Sequence, residues 1–79
     1  ADRYNEYIMT GLRTIWGVAL DRIEREFGES YLDYLIKQSD KFIKDELLAI
    51  ENNILKPTSK GKFLTDGIAS DLFYVNSEV

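Results

Sequence analysis

Residues 48–57 decide the fold, and they read Leu48-Ala49-Ile50-Glu51-Asn52-Asn53-Ile54-Leu55-Lys56-Pro57. Two short apolar runs flank an Asn-Asn pair, and asparagine tolerates the positive φ angles that a tight two-residue turn requires. The segment therefore predicts a β-hairpin with strands at residues 48–51 and 54–57. Because Pro57 has no N–H group and keeps Lys56 extended, the second strand either ends there or runs along a sheet edge.

Upstream of the hairpin, residues 5–15 predict a first helix. Its apolar side chains, together with one a turn earlier, recur at helical spacing and are Tyr4, Ile8, Leu12 and Ile15. Asn5 or Asp2 is suited to cap its start. Gly17 stands where a left-handed residue closes a helix, so the helix is expected to end near Trp16. Residues 18–20 are long enough for only a stub of strand.

Two further helices are predicted before the hairpin. Asp21 and Glu24 form a capping pair for a helix that runs to Phe27, and Gly28 ends it. A longer helix is predicted over residues 30–46 and presents one apolar stripe to the core. That stripe consists of Leu32, Leu35, Ile36, Ile43 and Leu47, with Tyr31 and Phe42 at its margin.

After the hairpin, Thr58 is predicted to cap a final helix that runs to Leu72. Its apolar face is Leu64, Ile68 and Leu72. Residues 75–79 are expected to be a frayed tail. The resulting order of elements predicts one domain over residues 1–79, mainly α with a small β-hairpin, of the winged-helix-like kind. This scaffold serves both DNA binding and protein docking, so the fold alone does not fix the function.

The composition restricts the chemistry that this chain can perform. Its 79 residues contain no cysteine and no histidine, so the usual ligands of zinc, haem and iron–sulfur clusters are missing. The carboxylate pairs Asp21/Glu24 and Asp66/Asp71 each lie on a predicted helix, where acidic residues commonly cap or face water. No catalytic, cofactor-binding or metal-binding residue is therefore predicted. The start at Ala1 favours a fragment of a larger polypeptide, and the lack of cysteine favours a cytoplasmic protein.

Charge argues against nucleic acid as a partner. The chain carries a net charge of −4, and residues 29–46, which include the would-be recognition helix, hold three lysines against five carboxylates. Lys56, Lys60 and Lys62 cluster near the hairpin, where lysines usually protect a sheet edge. No apolar run approaches the roughly 20 residues of a membrane span. A stand-alone winged-helix module that binds protein or DNA remains the alternative interpretation.

The aromatic residues outnumber the places that a core of this size offers. Tyr7, Trp16 and Tyr34, on helix margins, are expected to contact a neighbouring domain, because aromatic side chains concentrate at interfaces. Glu6 and Arg13 lie two turns apart on nearly the same side of the first helix as Tyr7. Either could reach across a domain boundary, and the alternative is that each is an ordinary surface charge.

Several short segments, taken in order, resemble one family. They are Asn5-Glu6-Tyr7-Ile8-Met9, Leu12-Arg13-Thr14, Gly17, Phe27-Gly28, Leu47-Leu48, Leu55, Thr58-Ser59-Lys60-Gly61 and Asp66-Gly67-Ile68-Ala69. Over about residues 4–73 they resemble the C-terminal domain of the oxygen-independent coproporphyrinogen III oxidase family. These are radical S-adenosylmethionine proteins, and the family includes the related haem chaperones. The ending Asp66-Gly67-Ile68-Ala69-Ser70-Asp71-Leu72 resembles the haem-chaperone branch more closely than the oxidase branch.

This resemblance implies that the reactive chemistry belongs to a preceding barrel domain. That domain would bind a [4Fe–4S] cluster through three cysteines and cleave S-adenosylmethionine. The present chain would pack on the barrel and help to cover the porphyrin side of its active site, without being catalytic alone. Its implied partners are the N-terminal barrel and, through the parent protein, a tetrapyrrole substrate or haem. Whether the parent is an oxidoreductase or a chaperone is left open.

Three positions depart from the family pattern. Ala19 replaces a polar residue at the start of the second helix, which moves the expected cap to Asp21. Glu46 replaces a glycine at the end of the third helix, so that helix is expected to end by another route. Pro57 replaces an apolar strand residue.

Overall fold

The computed structural model describes residues 2–75, and within them the elements follow the predicted order. The helices are α1 (Asp2–Arg13), α2 (Leu20–Phe27), α3 (Glu29–Lys44) and α4 (Thr65–Leu72), with a 3₁₀ turn at Lys62–Leu64. The strands β1 (Val18–Ala19), β2 (Leu48–Glu51) and β3 (Ile54–Pro57) form an antiparallel sheet in the order β1-β3-β2. The mainly helical, winged-helix-like fold is confirmed. The expected frayed tail lies outside the described residues except for Val75, which is exposed.

The hairpin forms as predicted. Asn52 and Asn53 take φ angles of 52° and 67°, which suit a two-residue turn, and the register pairs Leu48 with Pro57. β3 ends at Pro57, but the alternative of an edge strand is wrong, because β1 pairs with its other side. β1 reaches only the first two residues of β3. Pro57 therefore has a strand on one side only, and its missing N–H group interrupts no ladder.

The hairpin turn, rather than a local side chain, caps α2. The predicted capping pair of Asp21 and Glu24 is wrong, because the cap position is Ala19 and no side chain bonds there. Instead the Leu20 N–H donates to the Asn53 carbonyl at 3.0 Å. The Asn53 side-chain amide also donates to Asp21 Oδ1 at 2.7 Å. The turn thus satisfies a free helix N–H group and fixes α2 against the sheet.

α1 ends at Arg13, earlier than predicted. The loop that follows brings Val18 beside Leu55 in the sheet, and within it Gly17 takes the predicted positive φ, 71°. A Cβ atom on Gly17 would come within 2.8 Å of the Leu55 carbonyl oxygen, so a larger residue is excluded. Ile15 was expected on the core stripe of α1, but it lies in this loop and is 86% exposed.

α3 ends with a left-handed residue even though no glycine is present. Glu46 has a φ of 65°, and its N–H donates to the Ile43 carbonyl at 3.0 Å. The Leu47 N–H donates to the Phe42 carbonyl at 2.8 Å. These two bonds define a Schellman motif, with Glu46 where glycine is preferred. The expectation that the helix ends by another route is therefore wrong.

The segment after the hairpin does not continue directly into a helix. The prediction that Thr58 caps the last helix is wrong, because α4 begins at Thr65. The Thr58 hydroxyl donates to the Glu46 carbonyl and accepts from the Gly61 N–H at 3.1 Å. These bonds fasten the turn to the end of α3. Leu64, expected on the core face, precedes α4 and is 53% exposed.

One apolar core receives a side chain from every helix and strand. The buried apolar residues are Tyr4, Ile8, Leu12, Val18, Leu20, Ile23, Leu35, Leu48, Leu55, Ile68, Ala69 and Leu72. Ile36 differs from its prediction, because it is 45% exposed rather than part of the core stripe. The buried side-chain nitrogen and oxygen atoms among residues 2–75 all have hydrogen-bond partners. The chain therefore supplies its own core.

Tyr4 connects the start of α1 to the end of α4. Its side chain is fully buried, and its hydroxyl donates to the Leu72 carbonyl at 3.1 Å. The ring packs edge-on against Phe27, with centroids 5.8 Å apart, and at 5.1 Å from Tyr31. Burial raises the pKa of Tyr4 well above its usual range, and the neighbouring Tyr34 and Tyr31 add to the rise. The phenol therefore remains protonated and keeps its role as a donor.

The segment after α4 is fastened to the same region. The Tyr74 N–H donates to Asn5 Oδ1 at 2.8 Å, and Asn5 Nδ2 donates to the Tyr74 carbonyl at 3.4 Å. The Tyr74 ring lies 4.6 Å from Tyr31 and 4.9 Å from Tyr34, centroid to centroid. An aromatic cluster thus covers this end of the core.

Replacing Tyr4 by phenylalanine tests the buried hydroxyl. We expect Tyr4→Phe to lower the free energy of unfolding by about 1–2 kcal/mol, because the Leu72 carbonyl loses its donor inside the core. Urea denaturation measures the change. Tyr31→Phe is the matched control, since among residues 2–75 the Tyr31 hydroxyl makes no hydrogen bond. Equal losses in the two variants would contradict the assigned role.

Replacing Glu46 by glycine should stabilise the chain. Glutamate is strained at a φ of 65° and glycine is not, so we expect Glu46→Gly to raise the free energy of unfolding by about 1 kcal/mol. Asp45→Gly is the control, because Asp45 has a φ of −83° and gains nothing from glycine. The melting temperature and the urea midpoint should rise for Glu46→Gly and fall for Asp45→Gly. A change in the same direction for both variants would argue against strain at Glu46.

Candidate domain interface

Two of the five predicted interface residues use their hydroxyl groups inside the domain. The Tyr7 hydroxyl accepts from the Ala19 N–H at 2.9 Å, and the Arg22 guanidinium lies 4.4 Å from the centre of the Tyr7 ring. The Tyr34 hydroxyl donates to the Phe73 carbonyl at 2.7 Å. Both tyrosines are half-buried. They are held in place and present only part of their rings to solvent.

The other three predicted residues are exposed. Glu6 lies on α1, where it lines a shallow groove together with Tyr7. Arg13 ends α1 and donates from Nη2 and Nε to Asp66 Oδ1, at 2.8 and 3.1 Å. Trp16, in the loop after α1, is 74% exposed. The structure therefore brings Glu6 and Tyr7 together, and it places Arg13 and Trp16 at the C-terminal end of the same helix.

The Arg13–Asp66 ion pair joins the end of α1 to the first turn of α4, and a loop with exposed apolar side chains adjoins each of these helix ends. The first loop holds Ile15 and Trp16, which follow α1. The second holds Phe63 and Leu64, which precede α4 and are 88% and 53% exposed. We call these four residues the loop face. Exposed apolar residues concentrated in one region commonly mark an interaction site.

The sequence interpretation missed three residues of the loop face. Ile15 and Leu64 were assigned to the core because they continue the helical spacing of the apolar residues in the neighbouring helices. Phe63 was counted among the general aromatic surplus. Two signals in the sequence could have located these loops. Gly17 follows the end of α1, and the Thr58–Gly61 turn precedes the start of α4.

A groove of about 450 Å³ runs between these two loops. It is lined by Leu12, Arg13, Thr14, Ile15, Lys56, Pro57, Ser59, Lys62 and Thr65. The lining contains three cationic side chains and no carboxylate. Each of four other surface grooves in the described part of the chain includes at least one carboxylate. We call this site the basic groove, and it stands out in a chain whose net charge is −4.

Two other kinds of site are absent from the described residues. Residues 2–75 contain no group of three or more acidic side chains placed to hold a metal ion. Over the same range, no helix combines the length and the apolar character needed to cross a bilayer.

Residues 1–64 match the family described as the HemN C-terminal domain. The chain belongs to this family. The matched region runs from α1 through the sheet to the 3₁₀ turn. Membership makes the chain an accessory domain of HemN-like radical S-adenosylmethionine proteins, in which it accompanies an N-terminal radical S-adenosylmethionine domain. The parent proteins use S-adenosylmethionine and an iron–sulfur cluster. No curated protein and no solved structure matches the chain.

The exposure of Trp16 can be measured directly, because it is the single tryptophan of this HemN-type domain. We expect its fluorescence to show the red-shifted maximum of a hydrated indole and efficient quenching by acrylamide. Unfolding in urea should therefore change the emission maximum little. A blue-shifted maximum, or strong protection from acrylamide, would show that the indole is buried and would remove Trp16 from the loop face.

Proposed function

We propose that this chain is the C-terminal accessory domain of an oxygen-independent coproporphyrinogen III oxidase-like radical S-adenosylmethionine protein. In this role it packs on the catalytic barrel and helps to cover the tetrapyrrole side of its active site. The family match over residues 1–64 is the observation that supports the proposal. The parent acts in porphyrin or haem metabolism in the cytoplasm, as an oxidase or as a haem chaperone.

The composition of the chain suits a covering role. A [4Fe–4S] cluster of this family needs cysteine ligands, and this chain has none, so the cluster and its cofactor belong to the barrel. Radical intermediates react with water and other bystanders, and a domain that closes over the site limits those side reactions. The chain's contribution is thus to exclude solvent and to hold the barrel opening in a fixed shape.

The five candidate interface residues take different parts in this proposal. Trp16 offers the largest exposed apolar area among them, and Arg13 keeps guanidinium N–H groups beyond the two that it gives to Asp66. Glu6 offers an exposed carboxylate. Tyr7 and Tyr34 contribute ring surface, because their hydroxyl groups are already engaged within the domain.

A DNA-binding winged helix is the less favoured function. The recognition helix of such a protein enters the major groove, between two negatively charged phosphate backbones. The corresponding segment here, residues 29–46, has more carboxylates than lysines and would be repelled. The basic groove lies instead between the end of α1, the hairpin and the turn before α4.

Removing this domain from its parent protein tests the proposal. We expect the shortened protein to keep its cluster and to go on cleaving S-adenosylmethionine, because those parts belong to the barrel. Tetrapyrrole conversion, or haem transfer if the parent is a chaperone, should fall about 100-fold or more, because the substrate loses its cover and its positioning. The deoxyadenosine released per tetrapyrrole converted is the quantity to measure.

Adding the separate 79-residue chain back to the shortened protein is the control. It should restore part of the lost tetrapyrrole conversion and lower the amount of deoxyadenosine released per tetrapyrrole converted. Unchanged tetrapyrrole turnover without this domain would contradict the proposal. So would cleavage of S-adenosylmethionine by the chain alone, or a parent sequence with no Cys-x3-Cys-x2-Cys motif upstream.

A further inference from the structure

Large exposed apolar side chains are unevenly distributed over the surface. Phe63, Ile15 and Trp16 are 88%, 86% and 74% exposed, and all three belong to the loop face. Outside the loop face, Val75 at the end of the described range is 72% exposed, and Ile36 and Ile50 are only 45% and 41% exposed. Exposed apolar area of this extent is unfavourable in water and becomes favourable when a partner covers it.

The loops that carry this surface are held in fixed positions. The first is fastened by the Arg13–Asp66 pair and by the entry of Val18 into the sheet. The second is fastened by the hydrogen bonds of Thr58 to the end of α3 and to Gly61. A partner would therefore meet a preformed surface, and little conformational entropy would be lost on binding.

The charge beside the loop face specifies what the partner must offer. Arg13, Lys56 and Lys62 line the basic groove, into which Ile15 also projects. The partner surface should therefore combine apolar residues with bordering carboxylates. Asp66 pairs with Arg13 and Glu51 with Lys56, whereas Lys62 has no ion pair among residues 2–75. A symmetric dimer through this face would bring two basic grooves together, and their lining offers no carboxylate to Lys62, which makes a second copy of the chain a poor fit.

We propose that the loop face and the basic groove form the surface that docks on the catalytic domain of the parent protein. This inference rests on the proposed function, because it takes that domain as the occupant. The inference adds two statements to that function. The loop face and the basic groove are buried against the catalytic domain, and the opposing surface is an apolar patch bordered by aspartate or glutamate. Phosphate-rich partners fit less well, because Ile15 and Phe63 would gain no apolar contact from them.

Trp16 supplies the probe for a binding experiment. The 79-residue chain is labelled with 5-fluorotryptophan and titrated with the separately produced catalytic domain, and its single fluorine signal is followed. We expect a saturable change of that signal. Two double variants test the face: Ile15→Ser with Phe63→Ser removes apolar area, and Lys56→Glu with Lys62→Glu reverses charge. Each should weaken binding about tenfold or more, and added salt should weaken it further.

Matched controls lie elsewhere on the surface. Ile36→Ser with Ile50→Ser removes exposed apolar area outside the loop face. Arg25→Glu with Lys37→Glu reverses the same amount of charge on α2 and α3. Both should bind within about twofold of the unsubstituted chain. Circular dichroism verifies folding, and Lys62→Glu alone serves if the paired reversal disturbs the Lys56–Glu51 contact.

The outcomes separate the two proposals. If the unsubstituted chain binds and all four double variants bind equally well, the docking face is wrong and the accessory role stands. If the unsubstituted chain does not bind the catalytic domain, packing on the barrel is wrong as well. A fluorine signal that moves with the chain's own concentration, in the absence of the catalytic domain, would identify a second copy as the occupant and overturn the inference.

Discussion

The buried phenol of Tyr4 is the contact on which the arrangement of the helices depends. Its hydroxyl donates to the last carbonyl of α4, and its ring lies among Phe27 and Tyr31, so α1, α2, α3 and α4 meet at one side chain. With α1 and α4 fixed at this end, the Arg13–Asp66 pair can form between the far end of α1 and the start of α4. The position of the loop face is therefore a consequence of packing in the core.

The sequence predicts those parts of the fold that depend on local rules. The hairpin followed from Asn52 and Asn53, because positive φ angles are needed only within the turn itself. Errors arose where a polar side chain found a distant partner. Asp21 bonds Asn53 instead of capping its own helix, and Thr58 bonds the end of α3 instead of starting α4. Both side chains were suited to cap a nearby helix, but each forms a hydrogen bond to a residue distant in sequence instead.

In the candidate interface, too, some residues were predicted from local rules and others were missed because their positions depend on distant contacts. Trp16 was predicted because it is an aromatic residue on a helix margin, and aromatic side chains concentrate at interfaces. Ile15 and Leu64 were missed because a spacing of three or four residues indicates a buried stripe only while the helix continues. Helix ends are set by where the chain must turn to reach the sheet, and that depends on contacts far away in sequence. Lys56 and Lys62 of the basic groove were noted in the sequence and interpreted as protection of a sheet edge. Arg13 comes from α1, so no single segment revealed the groove.

The hydrogen bonds between Asn5 and Tyr74 join residues 69 positions apart. Closing so large a loop costs more chain entropy than forming the hairpin or the α2–α3 pair, whose partners are near in sequence. We therefore expect those local units to assemble early and the aromatic cluster to close last. The slowest step in folding would then be the joining of residues near Asn5 to those near Tyr74, and the chain must be synthesised through Tyr74 before the domain becomes stable.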